Sequence, residues 1–145
     1  MKIPEEHFRR LERMYHGAGI NKYFAPVLEV SQGAATVTIT VRPDFFHAAH
    51  AMHGSVYFKA LDDAAFFAAN SVVQDVFVLT VSFNLVLLRP VTEGAITATG
   101  RLIHHSKNLL VAEAELTNER GKLLARGSGT FTKSSIALNA DVGYQ

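Results

Sequence analysis

The fold is decided by residues 47–71, HAAHAMHGSVYFKALDDAAFFAANS, where a loop with three histidines leads through Gly54 into a long apolar helix. The pattern predicts this helix from about Ser55 to Ser71. Three charged residues interrupt its apolar sequence: Lys59, Asp62 and Asp63. A helix that is apolar on all sides is enclosed by protein or lipid, and three charges exclude a membrane span. We therefore expect the rest of the chain to surround this helix, with a carboxylate near its centre.

Strand patterns flank the predicted helix on both sides. Ala34–Val41 alternates apolar residues with threonines, which predicts a half-buried strand, and a weaker strand precedes it at Ala25–Val30. Four further strands, separated by turn residues, are predicted after the helix: Val76–Leu88, Ala95–His105, Leu109–Thr117 and Lys122–Lys133. One long helix against a curved antiparallel sheet of five or six strands is an α+β architecture.

The two ends of the chain have weaker patterns. Pro4, followed by acidic residues, predicts a helix start, and Gly17 and Gly19 predict its end, so residues 1–19 form an N-terminal helix. Residues 134–145 are expected to be a loosely ordered tail. Because the 145 residues contain no repeat and no linker, we interpret residues 1–145 as a single domain.

The composition argues against several classes of protein. A net charge of +1 gives no electrostatic basis for binding nucleic acid or an anionic membrane. The absence of cysteine excludes disulfides, thiol nucleophiles and zinc–thiolate sites. The first residues lack the apolar region of a signal peptide, so a cytoplasmic location is expected. A hydrophobic share of 48% suggests that some apolar surface enters an oligomer interface.

Residues 20 to 133 resemble the hotdog-fold acyl-CoA thioesterases, and within them the phenylacetate-pathway and 4-hydroxybenzoyl-CoA thioesterase branch. The resemblance rests on the order of elements, on the step from His53 to Gly54 into the buried helix, and on the acid eight residues later. Three further segments agree with it: Asn70-Ser71 at the helix end, Val81-Ser82-Phe83-Asn84 before Leu88-Arg89-Pro90, and a last hairpin with Gly121 at its turn.

This resemblance implies a hotdog fold, in which the sheet wraps the long helix, and hydrolysis of an acyl-CoA or aryl-CoA thioester. It implies no cofactor beyond the CoA moiety of the substrate, and no metal. It also implies a homodimer joined through sheet edges, often paired again into a homotetramer. The active site would then lie between subunits, with Gly54 of one helix facing Asp62 of the partner.

Asp62 is the first catalytic candidate. It lies too far from the first turn of the helix to serve as a capping or dipole-stabilising acid. Lys59 is a potential partner, but Lys59 and Asp63 are four residues apart and form the more natural surface pair. The resemblance implies that Asp62 activates a water as general base or attacks the thioester carbonyl directly, and the sequence does not separate these two roles.

Gly54 and Ser55 are the candidates for stabilising the carbonyl oxygen. A helix N-terminus has unpaired N–H groups and a partial positive charge, which suit an oxyanion hole. The structural alternative is that Ser55 caps the helix and Gly54 is a turn residue. The family often has His-Gly-Gly at this point, whereas this chain has His-Gly-Ser.

Three more residues complete the predicted site. His53 matches the family histidine, which either lines the site or only holds the loop. His47 stands where this branch frequently has asparagine. Thr80 aligns with a hydroxyl residue that a related branch carries near the attacking water, although a packed strand threonine is the alternative. His47, His50 and His53 together also suggest a metal site, but their spacing matches no familiar zinc signature, so none is predicted.

Aromatic and basic residues supply candidates for holding the substrate. Seven aromatic residues are candidates for an acyl or aryl tunnel, with core packing as the alternative: Phe45, Phe46, Tyr57, Phe58, Phe66, Phe67 and Phe83. Three basic residues are candidates for the CoA phosphates, with solvated surface charge as the alternative: Arg89, Lys107 and Arg126.

Two other functions remain open at this point. Some hotdog proteins are enoyl-CoA hydratases or dehydratases, which pair a histidine with an acid, although the proline-rich approach motif of that class is missing. The second alternative is a non-catalytic acyl-CoA-binding protein or sensor. Such a protein has no need for Asp62.

Overall fold

The computed structural model describes residues 1–145 and consists of three α-helices, six strands and two short 3-10 helices. The helices are α1 (Glu5–Gly17), α2 (Ile20–Phe24) and α3 (Gly54–Asn70). The strands are β1 (Val27–Ser31), β2 (Ala34–Thr40), β3 (Val76–Leu87), β4 (Ala95–His105), β5 (Leu110–Thr117) and β6 (Leu123–Ala137). The 3-10 helices are Pro43–Phe45 and Ala140–Val142. None of the helices is both long enough and apolar enough to cross a membrane.

The six strands form one antiparallel sheet in the order β1-β2-β4-β5-β6-β3. The predicted α+β hotdog architecture, with one long helix and a sheet of five or six strands, is therefore confirmed, and the number of strands is six. In β2, Ala35, Val37 and Ile39 are buried, as their alternation with threonine predicted. The order also leaves β3 at one edge of the sheet, where only β6 pairs with it.

The long helix α3 packs against the sheet along its whole length. Its fully buried residues include Ala60, Leu61, Ala64 and Ala65. The closest approach is at Gly100 in β4, where a Cβ atom would lie 2.3 Å from the carbonyl oxygen of Ala64. Any larger residue at this position would push the helix away from the sheet. A glycine therefore sets the separation between the two layers.

The N-terminal region contains more helix than the sequence predicted. Helix α1 runs from Glu5 to Gly17 as expected, and Phe8, Leu11 and Tyr15 lie on its buried face. The additional helix α2 is separated from α1 by two residues. Its C-terminal cap is Ala25, which has a left-handed backbone (φ 50°). Five residues are too few to show a helical period, which is why this element has no sequence signal. The left-handed turn also delays β1, which begins at Val27 and not at Ala25.

The prediction of a loosely ordered tail after Ser134 is wrong. Strand β6 continues to Ala137, and residues 140–142 form a 3-10 helix. The buried imidazole of His7 lies 2.7 Å from the Tyr144 hydroxyl and 3.0 Å from the Asn70 carbonyl oxygen, which ties the tail to α1 and to the end of α3. The tail is short, and Leu138, Val142 and Tyr144 pack against the core, so its order comes from contacts with distant residues that periodicity does not reveal. We call residues 138–145 the C-terminal strap.

Candidate active site

The carboxylate of Asp62 lies on the face of α3 that meets the edge strand β3. The hydroxyl of Thr80 donates a hydrogen bond of 3.0 Å to Asp62 Oδ1. A β-bulge between Thr80 and Ser82 shifts the register of β3 against β6 directly beyond this contact. Bulges commonly re-aim side chains next to functional sites. The sequence-based pairing of Asp62 with Thr80 in one site therefore agrees with their positions.

The surroundings of Asp62 favour its protonated form. Burial, together with the negative charge of Asp63, raises the pKa of Asp62 to about 6, while the Thr80 hydrogen bond and the charge of Lys59 act in the opposite direction. A carboxylate with a pKa near 6 is still ionised at neutral pH and is a stronger base than an exposed one. Asp62 therefore has the properties of a general base or a nucleophile.

Asp63 has partners of its own. Its Oδ2 atom lies 2.6 Å from Lys59 Nζ and accepts a 2.6 Å hydrogen bond from the Tyr15 hydroxyl. The predicted pair of Lys59 and Asp63 is thus confirmed, but its description as a surface pair is wrong, because their side chains are only 14% and 16% exposed. Burial raises the pKa of Asp63, whereas both partners lower it.

A cavity of about 670 Å³ opens beside Asp62. One part of its wall carries polar groups from Tyr15, Lys59, Asp62, Asp63 and Thr80. The apolar part comes from α1, α2, α3, β3 and the C-terminal strap, and includes Met14, Ile20, Phe66, Phe67, Phe77, Leu79 and Val142. We call this space the acid cavity. Its size and apolar wall fit a small-molecule group of the kind that binding pockets usually enclose.

The start of α3 differs from the sequence prediction in one respect. The capping residue is His53, whose Nδ1 accepts a 3.0 Å hydrogen bond from the Ser55 N–H, so Ser55 is not the N-cap. The Val56 N–H donates to the His53 carbonyl. The Gly54 N–H donates to no group of this chain. Of the two predicted oxyanion donors, only Gly54 therefore has a free N–H.

Gly54 lines a second cavity of about 340 Å³, which His47 also lines. Backbone hydrogen bonds from His47 to Ala51 and from His53 to Phe45 hold the histidine loop in place. The far wall comes from the end of β3 and the residues after it, Leu87, Leu88, Arg89 and Pro90. We call this space the glycine cavity.

The structure separates the predicted site residues into three groups. Asp62 and Thr80 line the acid cavity, Gly54 and His47 line the glycine cavity, and His53 and Ser55 line a third depression on the other side of the loop. His47, His50 and His53 are exposed and do not form a group that could hold a metal ion. In one copy of the chain, the six predicted residues therefore do not meet at one point.

The spacing of Gly54 and Asp62 explains this separation. They are eight residues apart on α3, which corresponds to about 12 Å along the helix axis and a rotation of about 80°. A single carbonyl group cannot contact both of them. The acid cavity and the glycine cavity of one chain are therefore two separate spaces.

The residues predicted to line an acyl tunnel or to bind the CoA phosphates are also divided among several cavities. Phe66 and Phe67 line the acid cavity, whereas Phe45 and Phe46 line the third depression. Tyr57 lines the glycine cavity and donates a 2.7 Å hydrogen bond to the Arg89 carbonyl. Phe58 and Phe83 pack edge to face. Of the three basic candidates, Arg89 alone lines a cavity with a predicted site residue; Arg126 lies with Glu113, and Lys107 is exposed between β4 and β5.

No role was predicted for Tyr15, Phe77 or the C-terminal strap. Tyr15 lies on the buried face of α1, and its hydroxyl reaches Asp63 across 48 positions of sequence. Phe77 and the strap form walls of the acid cavity. The only feature of Tyr15 that could have indicated the contact with Asp63 is its hydroxyl, because a buried tyrosine hydroxyl usually finds a hydrogen-bond partner.

A comparison with protein-family models gives a match to the thioesterase superfamily over residues 49–125, which include α3, β3, β4, β5 and the start of β6. The chain belongs to the thioesterase superfamily. This membership makes it a thioester hydrolase and confirms the resemblance seen in the sequence. The matched segment contains Gly54, Asp62 and Thr80.

Individual relatives are similar to this chain in sequence, and solved structures are similar to it in fold. The acyl-coenzyme A thioesterase PaaI of Escherichia coli is 29% identical over 100 residues, which cover 68% of this chain and 70% of that protein. The structure of the E. coli PaaI protein superimposes with a TM-score of 0.85 at 23% identity and covers 94% of this chain and 99% of that one. The thioesterase HI1161 of Haemophilus influenzae has a TM-score of 0.75 at 18% identity, over 83% and 85% of the two chains.

Proposed function

We propose that this thioesterase-superfamily member hydrolyses an acyl-CoA or aryl-CoA thioester to the free acid and CoA. Asp62 is the base or nucleophile, and the N–H of Gly54 is the oxyanion donor. The observation that carries the proposal is the pairing of Asp62 with the Thr80 hydroxyl at the mouth of an apolar cavity. The acyl group occupies the acid cavity. The similarity to the E. coli acyl-coenzyme A thioesterase supports CoA as the thiol part of the substrate.

The proposed mechanism assigns one task to each group. The Gly54 N–H, at the positive end of the α3 dipole, stabilises the negative charge that develops on the thioester oxygen. The ionised Asp62 either takes a proton from water as the water attacks the carbonyl carbon or attacks that carbon itself. Thr80 orients the carboxylate or the water through its hydroxyl. Collapse of the intermediate breaks the C–S bond and releases the CoA thiolate. In the base route the thiolate takes up the proton held by Asp62; in the nucleophile route water then hydrolyses the anhydride between Asp62 and the acyl group to the free acid.

The two half-sites form a complete site in a homodimer. The edge strand β3 and the residue that follows it expose five large apolar side chains to solvent: Leu79, Val81, Val86, Leu87 and Leu88. A long apolar edge strand pairs readily with a second chain. Pairing of two β3 edges brings the glycine cavity of one copy toward the acid cavity of the other, because Leu87 lines the former and Leu79 the latter. A homotetramer of two such dimers is the larger assembly that the family resemblance implies.

The other predicted residues have supporting tasks in this proposal. His47 lies in the glycine cavity, where a neutral imidazole can donate one hydrogen bond to the thioester carbonyl or to a water. His53 acts by capping α3, and Ser55 by completing that cap, so both position Gly54 without touching the substrate. Arg89 is placed at the rim of the glycine cavity for a phosphate of CoA.

The test is release of free thiol from short, medium, long and aryl CoA thioesters by the parent chain and by Asp62→Asn. We expect the variant to lose at least about 100-fold in kcat, the size typical of a lost general base, with an unchanged circular dichroism spectrum. Asp75→Asn is the matched control, because Asp75 is an exposed carboxylate that lines neither cavity. Normal turnover by Asp62→Asn would refute the role of Asp62.

The competing functions of the same fold have distinct readouts. An enoyl-CoA hydratase or dehydratase would change the absorbance of an enoyl-CoA without releasing thiol. A binding protein would hold CoA esters tightly with no turnover. Either result with the parent chain would replace the proposed reaction.

A further inference from the structure

Lys59 lies within reach of two neighbouring carboxylates on α3. It is three residues before Asp62 and four residues before Asp63, and both spacings place side chains next to each other on a helix. The structure shows one outcome: Lys59 Nζ lies 2.6 Å from Asp63 Oδ2, and Asp62 has no ion pair within 4.0 Å. The acid that we assign to catalysis is thus the one that the neighbouring ammonium leaves free.

The contacts of Asp63 account for this choice. Its Oδ2 atom accepts the Tyr15 hydroxyl at 2.6 Å in addition to the ammonium of Lys59. The ammonium itself lies 5.1 Å from the ring centre of Tyr15 and 5.5 Å from that of Phe24, close enough for cation–π attraction. Helices α1 and α2 therefore hold the Lys59 head group on the Asp63 side of α3.

We propose that Asp63 is a positioning residue that sequesters Lys59 and thereby keeps Asp62 free of an ion pair. This inference rests on the proposed role of Asp62. An ammonium bound to Asp62 would occupy one of its oxygens and stabilise its ionised form, and a stabilised carboxylate is a weaker base and nucleophile. The Tyr15 hydroxyl contributes by holding Asp63 in the geometry that pairs with Lys59.

The charged and titratable groups around Asp62 come from three elements. Lys59 and Asp63 lie on α3, Tyr15 projects from α1, and Asp141 belongs to the strap; the polar Thr80 faces Asp62 from β3. Of these, Lys59 is the only cation, so its position decides whether Asp62 is neutralised. Asp63 also acts on Asp62 directly through its like charge, and the test must separate this effect from the sequestration.

The test is a cycle of Asp63→Asn, Lys59→Met and the double variant, measured by the pH dependence of kcat and by the 13C NMR titration of the Asp62 carboxyl carbon. In Asp63→Asn, Lys59 turns to Asp62, so we expect a fall of at least about tenfold in kcat, a smaller change in KM, and a lower pKa of Asp62. Adding Lys59→Met to Asp63→Asn should raise the Asp62 pKa again and recover most of the lost kcat.

The cycle distinguishes sequestration from simple charge removal. If Asp63 acts only through its like charge, Lys59→Met will have the same effect with and without Asp63→Asn, and that additivity would overturn the proposal. An unchanged Asp62 titration in Asp63→Asn would overturn it as well. Asp63→Glu keeps a carboxylate within reach of Lys59 and should retain kcat.

Two features keep the test independent of folding and of the proposed function. The double variant replaces both partners of a partly buried ion pair, which folds more readily than a chain with one partner left unpaired, so it provides a reference if Asp63→Asn is unstable. The NMR titration reports the Lys59 contact without any turnover. Activity of Asp62→Asn would refute the catalytic role while leaving the measured sequestration intact.

Discussion

Gly54 and Asp62 lie on the same helix, eight residues apart, and open onto different cavities. The N–H of Gly54 has no partner within the chain, and the carboxylate of Asp62 has one hydrogen bond, from Thr80. In the proposed homodimer, each copy of the chain offers an oxyanion donor to one site and a base to the other. This relationship allows the two functions to be removed separately by single substitutions in α3.

Gly54→Pro should abolish the oxyanion donor while leaving the helix intact. Proline is favoured at the first position of a helix, where its missing N–H has no helical partner, and the extended backbone of His53 (φ −65°, ψ 145°) is compatible with a following proline. We expect kcat to fall about 100-fold to 1,000-fold, as for loss of one oxyanion donor, with the melting temperature nearly unchanged.

Gly54→Ala is the matched control for this substitution. Its Cβ atom would lie 3.4 Å from Leu87 Cδ1, an ordinary contact, and it keeps the N–H. We expect it to retain far more activity than Gly54→Pro. Equal losses in the two variants would mean that steric access, and not the N–H, is what matters at Gly54.

Mixed dimers of Gly54→Pro and Asp62→Asn should regain activity. If each site uses Gly54 of one copy and Asp62 of the other, a mixed dimer contains one intact site and one site with both changes. One of the two sites in each mixed dimer is intact, so the purified mixed dimers should have about half of the parent's specific activity. Co-expression with two different affinity tags, followed by thiol-release assays of the doubly purified species, measures this. Activity no higher than that of Gly54→Pro alone or Asp62→Asn alone would place each site within one chain.

Thr80→Val should move the acidic limb of the pH–rate profile upward. The parent rate is expected to fall as the pH drops through about 6, because Asp62 must be deprotonated to act. The Thr80 hydroxyl stabilises the ionised carboxylate, so its removal raises the pKa of Asp62 further and lowers kcat at neutral pH by about tenfold. Thr80→Ser keeps the hydroxyl and should retain the parental limb; a limb that is the same in all three chains would exclude the Thr80 contact from catalysis.

Tyr144→Phe should loosen the C-terminal strap. Neutral His7 donates from Nε2 to the Asn70 carbonyl and accepts the Tyr144 hydroxyl at Nδ1. Burial lowers the pKa of His7, which keeps it neutral at pH 7.5. Removal of the hydroxyl leaves Nδ1 unpaired, and we expect a loss of about 1–2 kcal/mol in the free energy of unfolding by urea. Tyr23→Phe removes a hydroxyl that bonds an exposed carbonyl, and it should cost less than about 0.5 kcal/mol.

The arrangement of helix and sheet was predictable because it depends on periodicity. The alternation of Ala35, Val37 and Ile39 with threonines fixed both the strand and its buried face, and the apolar sequence of α3 required a fold that surrounds it. The strap and α2 were not predictable in the same way. Their order depends on single contacts such as that of His7 with Tyr144, which join positions far apart in the chain.

The candidate site, like the fold, was predictable only in part. The prediction of Asp62, Gly54 and Thr80 rests on their positions along α3 and β3 and on the family resemblance. Ser55 was expected as the helix cap, but His53 is the cap and the Ser55 N–H donates to it. The sequence did not indicate this because a histidine in the capping position is unusual. Tyr15 and its bond to Asp63 were missed, since a hydrogen bond across 48 residues leaves no trace in local spacing.

The close approach of Gly100 to Ala64 has a consequence for how this chain tolerates mutation. A Cβ atom at position 100 would collide with the backbone of α3 only two residues from Asp62. Selection that preserves turnover would therefore act on a residue with no side chain and no chemistry of its own. In a saturation-mutagenesis screen scored by thiol release from a CoA thioester, we expect position 100 to tolerate substitution as poorly as position 62.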